Sequence, residues 1–456
     1  MGLILKLVFV IGTVLIAYQV SKLFETPPFP KIENTWWGPR DPSKEDTSIK
    51  PFKINVSDEV LKDLQHRLAN ARPFVPPLEG AQQHYGINTK LLSKIVEHWR
   101  TKYNWREREK FLNQYPQFTV SVQGLRLHYI HVKPANPGKL KVVPLLLLHG
   151  WPGSVREFYD IIPLLTKPRQ GHDFVFEVII PSLPGYGFSE AAVRPGLGPI
   201  EMSVVFKNLM RRIGFEKFYI QGGDWGALIV QNMATLFPEH VLGVHSNMCF
   251  VNTPLSNLKL FLGSLYPRLI VSKEMEHTIY PLSTFYSNML LEMGYMHLQA
   301  TKPDTVGVAL NDSPVGLAAY ILEKFTTWTN PEWKNLEDGG LTKKYNYNDL
   351  LDNVMIYWVT NSITTSVRLY SEAFNKAQMS LGVERIPVKV PSACAVFPNE
   401  IAHQPPPLLS EKYHNLVHYS EKSDGGHFAA FEVPKILAED IFVGVEKIIA
   451  ANLPKK

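Results

Sequence analysis

Residues 218–228 run Phe218-Tyr219-Ile220-Gln221-Gly222-Gly223-Asp224-Trp225-Gly226-Ala227-Leu228, and the order of residue types in this run decides the fold. It has the layout strand, glycine-rich turn, helix. A sharp strand-to-helix turn draws backbones together and forces its central residue into a strained conformation, so small residues at 222, 223 and 226 relieve contacts that a side chain would make. This is the pattern of a nucleophile elbow, whose central side chain is presented beside a helix N-terminus. Serine is the usual occupant, but here it is aspartate. A carboxylate is already ionised at pH 7 and attacks a strained or activated saturated carbon to give an alkyl ester. That chemistry points away from amide and ester hydrolysis. Gly-Gly-Asp at a strand end is also ordinary turn composition, so the run needs support from the rest of the chain.

Three further stretches supply it. Val142–Leu148 is a continuous apolar run ending in His149-Gly150-Trp151-Pro152-Gly153, which reads as a buried parallel strand followed by an oxyanion-hole loop. Leu416–Ser420 reads as a short strand, followed by Gly425-Gly426-His427-Phe428 and a helical segment from Pro434. A nucleophile first and a histidine last is the chain order of an α/β-hydrolase triad. The third stretch, the apolar run Val390–Phe397, ends in Pro398-Asn399-Glu400 and places a carboxylate 27 residues before His427. The other place where such folds put the acid, after a strand ending near Met248, offers Ser246 and Asn247 and no carboxylate. Glu411, Glu421 and Asp424 remain rivals.

With 456 residues, 45% of them hydrophobic, the chain can bury a large core, and one enlarged catalytic domain is expected. A net charge of +5, with no basic block interleaved with aromatics, excludes nucleic acid as the expected partner. The only two cysteines, Cys249 and Cys394, lie in no metal-ligand or redox spacing and are expected to be small buried apolar residues. Leu3–Leu23 is almost wholly apolar, long enough to span the bilayer as a helix. No small-x-small cleavage pattern follows it, which disfavours a signal peptide. Basic residues flank both ends, so charge alone leaves the orientation open. Asn55-Val56-Ser57 is a glycosylation sequon, usable only from a lumen.

The expected organisation is a transmembrane anchor (1–24), a wrapping extension (25–117), the first part of an α/β core (118–249), a helical cap (250–385) and the rest of the core (386–456). The extension begins with a Pro-rich stretch to about Asp41 that contains Trp36 and Trp37, expected to pack onto the domain. Ser57 opens a helix with the apolar stripe Leu61, Leu64, Leu68, and a second covers about 89–103. Strands are expected near 118–132, 142–148 and 176–182 and into Asp224, with helices from Val155 and near 201–213. Such alternation implies a mostly parallel sheet with active residues at strand C-termini. The aromatic-rich helical stretch that follows reads as a cap over the site.

Taken together, these blocks resemble the microsomal-type epoxide hydrolases, and within that family the insect juvenile hormone enzymes. The likeness runs through Trp36–Pro39, His149–Gly153, Pro184–Ser189, Gly222–Gly226, Gly294–Thr305, Asn311–Thr327 and Gly425–Glu432. It implies an α/β-hydrolase core with a helical cap, Asp224 as nucleophile, Glu400 and His427 as the water-activating pair, and Tyr295 and Tyr370 as acids toward the epoxide oxygen. The backbone N–H groups of Trp151 and Trp225 are the expected oxyanion donors. No metal or organic cofactor is required, the partners are a lipophilic epoxide and water, and the expected location is the endoplasmic reticulum membrane with the catalytic part cytosolic. A haloalkane dehalogenase, which shares the covalent logic but needs halide donors, is the nearest rival. A non-catalytic binder of lipophilic ligands is the rival from another class.

Overall fold

A computed structural model describes residues 2–39, 45–273 and 276–454. The far end of the Pro-rich stretch, near Asp41, lies outside them. Nine strands form one sheet: β1 (Lys50–Phe52), β2 (Gln117–Val122), β3 (Leu125–Val132), β4 (Lys141–Leu148), β5 (Phe174–Pro181), β6 (Phe218–Gly222), β7 (Val241–Ser246), β8 (Ser392–Val396) and β9 (Leu416–Glu421). Their spatial order is β1-β2-β3-β5-β4-β6-β7-β8-β9. The first three strands pair antiparallel, as does β3 with β5, and every pairing from β5 through β9 is parallel. Leu145–Leu148 of β4 are fully buried, since both faces of a parallel sheet are covered by helices. Each such side chain contributes roughly 1.5–3 kcal/mol relative to exposure.

Three local expectations need correction. The stretch 118–132 is a hairpin, because Gln123 and Gly124 both take positive φ, +51° and +81°, and turn the chain back on itself. The helix expected from Val155 is a single 3-10 turn, Val155–Phe158, followed by the short helix Ile162–Leu165, since Pro163 has no N–H with which to continue the earlier turn. The extension contributes not only helices but also β1, which adds an edge strand beside β2.

The extension is bound tightly to the rest. Its helices Asp58–Ala69, Thr89–Thr101 and Trp105–Leu112 bury Leu64, Leu68, Ile95 and Trp99, and Asn88 and Asn104 cap the second and third. Trp37 is buried as expected, its N–H donating to the Gln123 carbonyl at 2.8 Å. Arg108 of the extension and Arg156, which follows β4, share the carboxylates of Asp349 and Asp352 on the helix Tyr347–Thr360. The hydroxyl of Tyr103 donates to Asp352 as well, at 2.9 Å. Extension, core and cap thus meet at one buried charge cluster.

Between β7 and β8 the described residues form helices and 3-10 turns only, from Pro254–Gly263 to Val383–Arg385. At the base of this insertion Cys249 and Cys394 are buried as expected but form a disulfide, which corrects their reading as merely small apolar residues. The two are 145 residues apart in sequence, but β7 and β8 are neighbours in the sheet, and Cys394 pairs in register with Ser246, just before Cys249. Separation in sequence hid proximity in space. Ahead of all this, the helix Gly2–Phe24 contains an exposed apolar span, Ile4–Lys22, long enough to cross a membrane.

Candidate active site

The ends of four parallel strands converge on one place. Asp224 follows β6 and opens the helix Asp224–Leu236 with φ +48°, the left-handed region that L side chains rarely occupy. The close approach behind it explains the glycines: a Cβ on Gly226 would lie 2.2 Å from the Leu148 carbonyl oxygen, and one on Gly150 would lie 2.0 Å from Asp224 Oδ1. The loop after β4 therefore reaches the carboxylate with its backbone. The Trp151 N–H donates to Asp224 Oδ1 at 2.7 Å. Trp225, whose N–H was the second expected donor, is the next residue of the elbow helix.

His427 lies beyond β9 and Glu400 beyond β8. His427 Nε2 is 3.4 Å from Asp224 Oδ2, and its Nδ1 is 2.7 Å from Glu400 Oε1. Both His427 and Glu400 are buried. Of the candidate acids, Glu400 is thus the one the fold brings to the histidine, while Asp424 pairs with Lys344 and Glu411 with Lys259. Burial pulls the His427 imidazole down, but the Glu400 charge and its bonds to Asp224 and Glu400 outweigh this and hold it well above the ordinary range.

Tyr295 and Tyr370 come from helices of the insertion, Gly294–Thr301 and Ile363–Ala373, which pack against each other. Their rings are 5.9 Å apart, and with Trp151, Trp225 and Trp328 they wall the carboxylate: Tyr295 stacks on Trp151 at 5.5 Å and Tyr370 sits edge-on to Trp225 at 4.7 Å. Burial, reinforced by neighbouring Asp224, pushes both phenols upward. They remain hydrogen-bond donors at neutral pH.

Several residues around the site could not be singled out from the sequence. Glu157 follows the loop after β4, and its carboxyl folds against Gly153, where a Cβ would lie 1.4 Å from Oε1. Enclosure pushes this carboxyl up to about 8, and its residual surface faces a small cavity of about 20 Å³ that Asp224, His427, Asn247 and Phe428 also line. That is room for about one water. Glu432 accepts from the N–H groups of Gly426 and Phe428, at 2.7 and 2.8 Å, and fastens the His427 turn. It too is pushed up to about 8 by burial. The Trp328 carbonyl accepts from the His427 N–H at 3.0 Å, and Lys324 Nζ lies 4.3 Å from the centre of the Tyr295 ring. The loop after β4 is held from the insertion by Asn353, which donates to the Pro152 carbonyl, and by Tyr357, which donates to that of Gly153. His149 is buried and held down at about 4 chiefly by desolvation. It accepts from the Leu183 N–H through Nε2, so its role in the motif is to fasten the loop. Among the described residues no group of three or more His, Cys, Asp or Glu is arranged to hold a metal ion.

This is an α/β-hydrolase with a carboxylate at the elbow and a capped, aromatic-walled site. Family models match accordingly: the epoxide hydrolase N terminus over residues 49–158 and the alpha/beta hydrolase fold over 143–384. The chain is 56% identical to juvenile hormone epoxide hydrolase 1 of Ctenocephalides felis, over 96% of this chain and 93% of the relative. It is 49% identical to epoxide hydrolase 1 of Sus scrofa, over 90% and 92%. The crystal structure of juvenile hormone epoxide hydrolase from Bombyx mori superposes with a TM-score of 0.91 at 51% identity, covering 92% of this chain and 99% of that one. The chain belongs to the epoxide hydrolases, and it hydrolyses epoxides. The dehalogenase and non-catalytic readings find no support among these relatives.

Proposed function

We propose that the protein converts lipophilic epoxides, juvenile hormone among them, to vicinal diols through a covalent ester on Asp224. The observation that carries this reading is the unbroken line Trp151 N–H, Asp224, His427, Glu400, with a 2.7 Å hydrogen bond at each end and 3.4 Å between Asp224 and His427. Asp224 Oδ2, the oxygen not held by Trp151, attacks an epoxide carbon. The C–O bond breaks, and Tyr295 or Tyr370 donates a proton to the leaving oxygen, which is a poor leaving group without one. Water then adds to the ester carbonyl as His427 takes its proton and Glu400 stabilises the imidazolium. The oxyanion forms against the Trp151 and Trp225 N–H groups, a contribution of roughly 3 to 4 kcal/mol per donor; its collapse breaks the ester C–O bond, the departing diol oxygen takes the carboxyl proton so that Asp224 is again a carboxylate, and the proton held by His427 returns to the tyrosinate. Esterification also removes one of the two anions facing His427. Its pKa falls at the step in which it must act as a base.

The hormone enters the proposal through the names of the relatives from Ctenocephalides felis and Bombyx mori. The test is diol formation from juvenile hormone and from a simple aryl epoxide side by side, with Asp224→Ala as blank. A kcat/KM ratio strongly favouring the hormone supports the assignment, and a comparable or reversed ratio replaces it with a general detoxifying role.

We further infer a single-pass anchor in the endoplasmic reticulum membrane with the catalytic part cytosolic. Lys6 near the start and Lys22 at the end of the apolar span leave charge neutral on that orientation. The Cys249–Cys394 disulfide runs against it, because cytosolic thiols are kept reduced. Asn55 is exposed and decides the matter: carbohydrate on it in membranes places the domain in the lumen and overturns the cytosolic orientation.

A further inference from the structure

The first part of the insertion, residues 254–292, carries apolar surface that the fold does not use. Phe261, Leu265, Leu269, Tyr286, Leu290 and Leu291 are 55–82% exposed, whereas the inner faces of the same segment close on a small core of their own, with Leu260, Ile270, Val271, Ile279 and Tyr280 packed around Leu408. The helix Leu282–Glu292 has no buried residue, yet it is rich in Leu, Met, Phe and Tyr. A helix that exposes large apolar side chains on this scale is a contact surface waiting for an apolar partner. Apolar surface set beside a membrane anchor gains free energy, in proportion to its area, by sinking toward the acyl chains of the interfacial layer.

Two observations name the partner. The anchor helix Gly2–Phe24 stays exposed along its apolar span but touches the helix Pro254–Gly263, so the apolar segment stands near the element that enters the membrane. At its other end, Leu282–Glu292 leads within three residues to Tyr295 at the active site, and Tyr280, just before that helix, ties the segment together by donating to the Leu260 carbonyl at 2.9 Å. The surface therefore runs from the anchor to the wall of the site.

We propose that residues 254–292 dock into the interfacial layer of the bilayer that the anchor crosses, so that lipophilic substrate passes from the membrane toward Asp224 along this face. A membrane-dissolved epoxide then avoids crossing water, and the acid Tyr295 lies at the inner end of its route.

The test uses the full chain reconstituted in phosphatidylcholine vesicles. Because Cys249 and Cys394 are joined and no other cysteine is present, a single introduced cysteine carries the only free thiol. Leu265→Cys, Leu290→Cys, Val14→Cys in the anchor and Leu453→Cys are each labelled with an environment-sensitive fluorophore, and quenching by spin-labelled lipid is read. Leu453 lies at the far end of the sheet, next to Asn452, whose side chain donates to the Leu242 carbonyl at the start of β7. The expected result is a blue shift and loss of emission at Leu265, Leu290 and Val14, with neither at Leu453. Quenching at Val14 alone overturns the docking while leaving the anchor intact. No quenching at Val14 removes the anchor and the docking with it. Protection of Leu265 and Leu290 that appears only as protein density rises assigns the face to a second copy of this chain, and likewise overturns the proposal. A functional arm follows: Leu265→Ser combined with Leu290→Ser raises KM for an epoxide delivered in vesicles and leaves kinetics toward a water-soluble epoxide unchanged.

Discussion

At Asp224 a left-handed backbone, a glycine-lined approach and one amide hydrogen bond combine to aim a carboxylate. Holding a non-glycine residue there costs about 1–2 kcal/mol, which the close packing of β4 against the elbow helix sustains. The division of labour proposed for the neighbours has separable consequences. His427→Gln is expected to form one fast equivalent of alkyl-enzyme ester and then stop, with the ester visible as a mass increment on the intact chain; continued turnover at the parent rate would remove His427 from the mechanism. Tyr295→Phe and Tyr370→Phe are expected to slow ester formation by about 100-fold and ester hydrolysis much less, as read in single-turnover mixing. Equal slowing of both steps would argue against the acid role. Asp224, Glu400 and His427 were legible in the sequence because each stands in a short local pattern just past a strand. Glu157, Glu432 and Lys324 were not, since their significance comes from contacts between segments far apart in the chain, and a lone charged residue in a sequence looks like a solvated one.

The elements were legible where periodicity is strong, as in β4, the elbow helix and the amphipathic helices of the extension. They were missed where a few residues decide, as at the Gln123-Gly124 turn and at Pro163. The disulfide belongs to the same scale. It joins the exit of β7 to β8 and closes a loop that contains the whole insertion, so the insertion rises from a cross-linked base. Cys394→Ala is expected to lower stability to denaturant by about 2–5 kcal/mol, provided the parent is kept oxidised; equal midpoints with and without reductant would show that the link contributes nothing. Under the same sheet, Asp440 of the helix Pro434–Ala451 ties β7 to β9 through His245 at 2.9 Å and His418 at 3.1 Å. Burial pushes its carboxyl up, but these imidazoles and Lys422 outweigh it and keep Asp440 far below the usual range.

For the molecule as a whole these buried groups set opposite limits on pH. Asp440 contributes stability that is present above its unfolded pKa and lost as the solution is acidified. Glu157 and Glu432 work the other way. Their ordinary value of 4.5 is raised to about 8, so the native state holds protons that the unfolded chain releases, and their contribution falls as pH rises from about 4.5 to about 8. Glu157 faces Asp224, His427 and Glu432. Glu157→Gln, which cannot ionise, is therefore expected to gain stability on the parent progressively across that window, by up to a few kcal/mol. Parallel stability curves would show that Glu157 titrates normally. The α/β-hydrolase architecture followed from the sequence because the motifs after β4, β6, β8 and β9 come along the chain in the order those strands take in the sheet, and the apolar N-terminal helix was legible by length and composition alone. The apolar face beside the anchor was not, because exposure is a property of the folded chain. The covalent step at Asp224 is tested most directly by a single turnover with excess enzyme in water enriched in oxygen-18. The expected diol carries ordinary oxygen from the Asp224 carboxylate, and the peptide containing Asp224 gains the heavy isotope. A first-turnover diol carrying oxygen-18, with that peptide unlabelled, would mean that water attacks the epoxide directly, and the covalent mechanism would be wrong.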